Sequence, residues 1–206
     1  MNNDTDIHPS EGSGVFRVCF VCTGNICRSP MAEWVLRARV AEAGLGDRVA
    51  VDSAGTGGWH EREGADPRTV RVLARHGYQS RHTARQLKPA ELARRDLVVA
   101  LDSGHLRTLR VWAADLENRA AQDAENSASL NSVSRNGTVG EAPGPGHLAQ
   151  LRMLREFDPA ADPDRLDVPD PYYGSLAGFE ECLAMVEDAM PGLLSHIGKA
   201  LETRAG

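Results

Sequence analysis

Two rhythms of apolar and polar positions take turns along this chain. Phe16 to Cys22 is a nearly continuous apolar run of strand length, and Arg48 to Ser53 and Asp96 to Leu101 share its β-rich character. Between and after them, apolar residues fall at helical spacing over Pro30 to Ala43, Pro67 to His76 and Ser103 to Leu116. That alternation predicts βαβ units, hence a parallel sheet in an α/β fold. The punctuation agrees: Asp66 before Pro67 reads as a helix N-cap, and Gly44 and Gly77 stand where left-handed C-terminal residues belong. Further on come a fourth apolar run, Leu151 to Phe157, a proline-rich loop and a long helix. Phe179, Leu183, Val186, Met190, Leu194, Ile197 and Leu201 form one core-facing stripe of that helix, with Cys182 a small buried hydrophobe and a kink expected at Pro191.

Two stretches break both rhythms. Residues 1–14 and about 117–147 hold too little apolar surface to offset the entropy of ordering them, and read as a disordered tail and a disordered insertion. Residues 15–206, apart from that insertion, form one domain with a substantial core. The formal net charge is -6 and the only lysines are Lys88 and Lys199, so no basic face for nucleic acid is expected. Apolar residues make up 41% of the chain but never run long enough to cross a bilayer, and the polar, acidic start does not read as a signal peptide, so no membrane association is expected. Four cysteines, three of them within Cys19 to Cys27, are too few for a disulfide scaffold and point to a reducing, cytoplasmic setting.

Chemistry concentrates between the first strand and the first helix, in Cys22-Thr23-Gly24-Asn25-Ile26-Cys27-Arg28-Ser29-Pro30. A tight loop running from a strand into a helix N-terminus is an anion-binding geometry. Cys22 at its start faces backbone N–H groups and the positive end of the helix dipole, the setting in which a cysteine sulfur is a nucleophile. Arg28 reaches over the same concavity to hold two phosphate oxygens, and gains strength as negative charge develops. Gly24 and Asn25 tolerate the unusual backbone angles such a loop needs. The spacing Cys-x5-Arg alone proves little, since a buried cysteine beside a surface arginine would match it; the surrounding strand, glycine, Ser-Pro and helix carry the weight.

The segment VCFVCTGNICRSPMAE resembles the phosphate-binding loop of the low-molecular-weight protein tyrosine phosphatases, in their bacterial form. Asp52-Ser53-Ala54-Gly55-Thr56 with Trp59, then ADPRTVRVLARHGY, His82-Thr83-Ala84-Arg85-Gln86, and Asp170-Pro171-Tyr172-Tyr173-Gly174 follow in that family's order. The resemblance covers about residues 16–116 and 150–200. It implies a four-stranded parallel sheet with helices on both faces and the phosphate-binding loop after the first strand. The implied activity is hydrolysis of phosphotyrosine in proteins through a cysteinyl phosphate, with no cofactor and no metal. Thr23, Gly24, Asn25, Ile26 and Cys27 then bind substrate, while Ser29 and His82, with Asn25, support the loop. Trp59 walls the aromatic slot by resemblance, although as a bare sequence feature it reads equally well as core packing.

Such chemistry needs a proton donor for the departing phenolate. Asp-Pro occurs at Asp66, Asp158, Asp162 and Asp170, so the dipeptide cannot choose. Asp66 is accounted for as a cap, and Asp158 and Asp162 lack aromatic neighbours. Asp170 stands between Pro169 and Pro171, which stiffen its backbone, and is followed by Tyr172 and Tyr173, which would make a dry slot for a phenyl ring. The family places its general acid there too. Cys27 reads either as a disulfide partner that protects Cys22 from overoxidation or as a buried loop cysteine. His60, His76 and His105 read as surface or core residues. The alternatives on the same fold are a thioredoxin-coupled arsenate reductase, which needs further cysteines where this chain has none between Cys27 and Cys182, and a phosphoarginine phosphatase, which carries threonine where this chain has Ile26. Tyrosine-phosphorylated proteins are the expected partners, and the 117–147 insertion, placed at the end of the sheet away from the active site, reads as a tether or as a site for a partner of unknown identity.

Overall fold

The computed structural model describes residues 14–131 and 148–204; most of the tail, residues 1–13, and the latter part of the insertion, 132–147, lie outside it. The strands are β1 (Phe16–Cys22), β2 (Val49–Gly55), β3 (Leu97–Ala100) and β4 (Gln150–Met153). The helices are α1 (Arg28–Glu42), α2 (Pro67–Arg75), α3 (Ser103–Asn131) and α4 (Leu176–Thr203). The sheet has four strands in the order β2-β1-β3-β4, every pair parallel.

Because both faces are covered, the inner strands are apolar but for Arg17 near the start of β1. Val18 and Phe20 of β1 and Leu97 and Val99 of β3 face a core shared with α1, α2 and α4. Cys19 and Val21 with Val98 and Ala100 face a smaller core completed by Leu106 and Leu109 of α3. From β1 the chain crosses to β2 on one side, then returns to β3 on the other. The carboxyl end of β1 is therefore the point where the strand order reverses, the place where open parallel sheets bind ligands.

The punctuation falls where the sequence puts it: Asp66 caps α2 by accepting from the N–H of Arg68, and Gly44 and Gly77 have φ of 67° and 81°. Two boundaries differ. The fourth apolar run is strand only to Met153; Leu154–Phe157 is a 3₁₀ turn, closed because the Glu156 carboxylate accepts from the N–H of Met153 at 2.9 Å. Helix α3 does not stop at Leu116 but continues to Asn131, through the first part of the stretch expected to lack regular structure. That part holds four alanines and neither Gly nor Pro, so local propensity extends the helix although residues 117–126 are exposed and bury nothing. Helix α4 carries Pro191 inside it without ending. The next residue, Gly192, is packed so closely on the 3₁₀ turn that a Cβ there would lie 2.0 Å from the Phe157 carbonyl oxygen.

Candidate active site

Strand β1 delivers Cys22 to the carboxyl edge of the sheet and α1 begins at Arg28, leaving Thr23 to Cys27 as the loop. Its carbonyls accept from outside it: Cys22 from the N–H of Thr56 (2.8 Å), Thr23 from Gly57 (3.0 Å) and Ile26 from Asp66 (2.9 Å). The Asn25 carbonyl accepts from His82 Nε2 at 2.6 Å. In a trans peptide the N–H points opposite to the C=O, so carbonyls held outward turn the loop amides inward around one point. Asn25 makes the turn at φ 57°, a conformation its short polar side chain tolerates. Gly55 lets the end of β2 abut the loop, since a Cβ there would lie 2.6 Å from the Thr23 carbonyl oxygen.

A buried relay fixes the sulfur's surroundings. Asn25 Nδ2 donates to Ser29 Oγ at 2.9 Å and to Ser53 Oγ at 2.8 Å, and its Oδ1 accepts from the N–H of Arg85 at 3.0 Å. Ser53 in turn donates to Glu33 at 2.6 Å. Receiving a hydrogen from Asn25, the Ser29 hydroxyl can give its own to Cys22 Sγ, 3.0 Å away, or to the Ala54 carbonyl at 3.4 Å. Burial raises the Glu33 carboxyl above its ordinary range, against the pull of Ser53 and Arg37. Burial lowers His82 below its ordinary value despite its bond to Asn25, so the ring is a neutral donor. Burial pushes the Cys19 and Cys27 thiols up, and that of Cys182 to about 12, which keeps these three protonated and inert. Cys27 is a free, buried thiol at the N-cap of α1.

Arg28 is buried and held from two sides. Its Nη1 donates to Asp102 Oδ2 at 2.8 Å and to the Val168 carbonyl at 3.1 Å, while Nη2 donates to Asp170 Oδ2 at 2.8 Å. Burial works against the charge, but Cys22, Asp170 and Asp102 outweigh it and hold the guanidinium protonated. Burial likewise opposes the Asp102 carboxylate, and bonds from His105 together with Arg28 overcome it and keep it well below the usual range. The aligned bond comes from the His105 backbone N–H at 2.8 Å; the ring Nδ1, 3.0 Å from Asp102 Oδ1, is out of line for one. Nε2 of the same ring meets Thr23 Oγ1 at 2.9 Å. Asp170 is also held from its own loop, where the N–H of Tyr172 donates to Oδ1 at 3.1 Å.

Above these groups opens a cleft of about 350 Å³. Cys22, Thr23, Gly24, Ile26, Cys27 and Arg28 line its floor, and Trp59, Asp170, Tyr172 and Tyr173 its rim. Trp59 is 75% exposed, which removes it from the core. Gly57 lets its ring fold back over the chain, since a Cβ there would lie 1.8 Å from the indole. Of the residues expected to bind substrate, Asn25 is the one the structure sets apart: it is fully buried behind the loop, where its side chain ties the loop down. Of the histidines expected to be surface or core, two stand at the site, His105 as a buried residue. His60 lines the cleft with Nδ1 2.8 Å from Glu63 and its ring 6.2 Å from Tyr172, and His105 touches the loop as described. Asp102 was missed too, although its place just past the end of β3 is where functional residues of such sheets gather. A larger cleft, about 670 Å³, runs along β2 between Trp34 and Arg95, but its Arg85 and Arg95 are tied to Asp52 and Glu91 and it contains no nucleophile.

The sequence profile of the low molecular weight phosphotyrosine protein phosphatases matches residues 17–122 and 138–203. A low molecular weight protein-tyrosine-phosphatase of Streptomyces coelicolor is 54% identical over 92% of this chain and 98% of its own length. Low molecular weight protein-tyrosine phosphatase A of Mycobacterium tuberculosis is 41% identical over 92% of this chain and 96% of its own length. Among solved structures, YfkJ from Bacillus subtilis superposes with a TM-score of 0.69 at 30% identity, covering 92% of this chain and 98% of that one.

Proposed function

The chain belongs to the low molecular weight phosphotyrosine protein phosphatases, and from that membership and the geometry of the cleft we propose that it hydrolyses phosphotyrosine in proteins through a cysteinyl phosphate on Cys22. One observation carries the reading: nucleophile, guanidinium and carboxylic acid converge on a single cleft, with Arg28 joined to Asp170 at 2.8 Å beneath a rim of Trp59, Tyr172 and Tyr173.

The dianionic phosphate enters the ring of amides from Thr23 to Cys27 and takes the Nη2 side of Arg28, displacing the Asp170 carboxylate that holds it. Asp102 and the Val168 carbonyl keep Nη1, so the guanidinium stays in place during the exchange. Cys22 Sγ attacks phosphorus and the bond to the phenolic oxygen breaks. Asp170 gives its proton to that oxygen as it leaves, and Arg28 and the amides hold the charge that develops on the equatorial oxygens. Asp170 then takes a proton from the water that attacks the cysteinyl phosphate, releasing inorganic phosphate and restoring the thiolate. Trp59, Tyr172 and Tyr173 flank the phenyl ring, and Ile26 presents an apolar surface to it. Ser29 and His82 keep the loop in shape, and Asn25 joins them there.

The substrates are therefore phosphoproteins, and phosphotyrosine is the proposed residue class. A cytoplasmic site of action fits four unpaired cysteines, and among the described residues no helix is long and apolar enough to cross a membrane. The net charge of -6 argues against nucleic acid. We read 15–206 as one phosphatase domain whose 117–147 insertion serves a separate partner. Hydrolysis of phosphotyrosine, phosphoserine and phosphoarginine peptides, measured side by side with the wild type and Cys22→Ser, tests the assignment. Phosphotyrosine should be preferred and Cys22→Ser inactive though folded. A phosphoarginine preference, or an active serine variant, would overturn it.

A further inference from the structure

The acid loop is the exposed wall of the cleft. Tyr173 is 96% exposed and the Asp170 side chain 48%. Its entry is anchored where the N–H of Val168 donates to the Leu101 carbonyl at 2.9 Å, just past β3. Prolines on either side of Asp170 stiffen the backbone, and Pro171 is buried with its carbonyl accepting from the N–H of Gly174 at 2.8 Å within the loop. Its exit is held by Arg68, on the first turn of α2, to which the sequence assigns no function.

The Arg68 guanidinium grips Asp66 with two atoms, Nε to Oδ1 at 2.9 Å and Nη2 to Oδ2 at 2.7 Å. Its other bonds cross to the acid loop, Nη1 to the Gly174 carbonyl at 3.0 Å and Nη2 to the Tyr172 carbonyl at 2.9 Å. The Phe179 ring lies 4.4 Å from the guanidinium carbon and the Tyr172 ring 5.9 Å, so the group is packed as well as bonded. Tyr172 is where this grip bears on the chemistry: its carbonyl is held by Arg68, and its N–H donates to Asp170 Oδ1 at 3.1 Å. At the other end Asp66 is fastened to the phosphate loop, its N–H donating to the Ile26 carbonyl at 2.9 Å.

We infer that Arg68 is a positioning residue for the general acid, fixing Asp170 relative to the phosphate loop through the chain Ile26, Asp66, Arg68, Tyr172, Asp170. The inference rests on the reading of Asp170 as the proton donor. In the resting enzyme Asp170 has two holds, Arg28 and the Tyr172 N–H. Once substrate phosphate takes Arg28, the Tyr172 N–H is the one that remains, so Arg68 matters most when the proton is about to move. Lysine at 68 would keep the charge but cannot span a carboxylate and two carbonyls at once.

The test is kcat/KM over aryl phosphates running from p-nitrophenyl phosphate, whose leaving group needs no proton, to phenyl phosphate, whose leaving group does. For Arg68→Met a fall of about tenfold is expected on phenyl phosphate and less than about twofold on p-nitrophenyl phosphate, because a misplaced donor loses only its own part of the rate. Competitive inhibition by inorganic phosphate should stay within about twofold, since the loop is untouched. Placed on Asp170→Ala, the same change should add almost nothing. Arg68→Lys should show the same leaving-group pattern and provides the reading if Arg68→Met does not fold. A uniform loss across the series, or a loss that adds to that of Asp170→Ala, would make Arg68 a structural residue and overturn the inference. A flat leaving-group response of Asp170→Ala itself would instead remove the general acid, and the inference with it.

Discussion

Replacing Asn25 with alanine removes three buried hydrogen bonds, those to Ser29, Ser53 and the N–H of Arg85, and puts a plain Cβ residue at φ 57°. At about 1 kcal/mol net for each bond and about 1 kcal/mol for the left-handed backbone, the loss of stability should be about 4 kcal/mol. Asn25→Gly accepts the backbone freely and should recover about 1 kcal/mol of that, so the pair separates backbone from side chain. Urea unfolding of wild type and both variants, compared at constant m, measures the two losses. Turnover should respond as well. Without the Asn25 donor nothing orients the Ser29 oxygen between Cys22 Sγ and the Ala54 carbonyl, 3.4 Å away, and its bond to the sulfur loses its direction. A hydrogen bond to a charged partner contributes about 1.5–3 kcal/mol, so kcat on p-nitrophenyl phosphate should fall about ten- to a hundredfold in both variants. If Asn25→Gly unfolds within about 0.5 kcal/mol of wild type, the relay contributes nothing to the fold, contrary to the partners counted above. If it is destabilised yet turns over normally, the orientation of Ser29 is irrelevant to the chemistry.

Other expectations follow from the same contacts. Asp102→Asn keeps the shape but removes the charge that holds Arg28 Nη1 at 2.8 Å; inhibition by inorganic phosphate and kcat/KM should both weaken by about tenfold, and unchanged values would show that the Val168 carbonyl suffices. His82 is held below its ordinary value of 6.5 by burial, so the unfolded chain binds its proton first. Its contribution to stability is complete above 6.5 and is lost as pH falls from there through the folded value. His82→Gln should flatten thermal midpoint against pH in that window, and an unchanged slope would place the effect elsewhere. Replacing residues 117–147 with a Gly-Ser linker long enough to reach Leu148 should leave kcat/KM on a small aryl phosphate within about twofold, or roughly 0.4 kcal/mol, whereas a tenfold change would bring the insertion to the catalytic face.

The readable parts of the site are those whose partners lie within one local turn of chain. Cys22 and Arg28 share a loop, Asp170 has its prolines and tyrosines beside it, and Asp66 caps the helix that follows it. What escaped the sequence is made by approach in space. Asp102 meets Arg28 across 74 positions and Arg68 meets Tyr172 across 104, and nothing near either residue announces the meeting. His105 looks like one more helical position until β1 and α3 are set side by side. The same limit explains the boundaries. Leu151 to Phe157 is apolar enough for a strand, and only the reach of Glu156 back to Met153 cuts it short. Past Leu116 the scarcity of large apolar residues predicts no regular structure, yet a helix needs no core where its residues favour it locally.

The guanidinium that Asp102 and Asp170 share works as an ion exchanger already loaded with its own counterion. A monoanion arriving at Arg28 trades one negative charge for another and gains little for evicting Asp170. A dianion brings charge to spare for the inward amides, so the exchange favours monoesters over diesters and sulfate over chloride. The resting cleft is thereby kept from filling with the most abundant small anions, and a salt titration in which chloride inhibits as strongly as sulfate would show that Asp170 does not guard it.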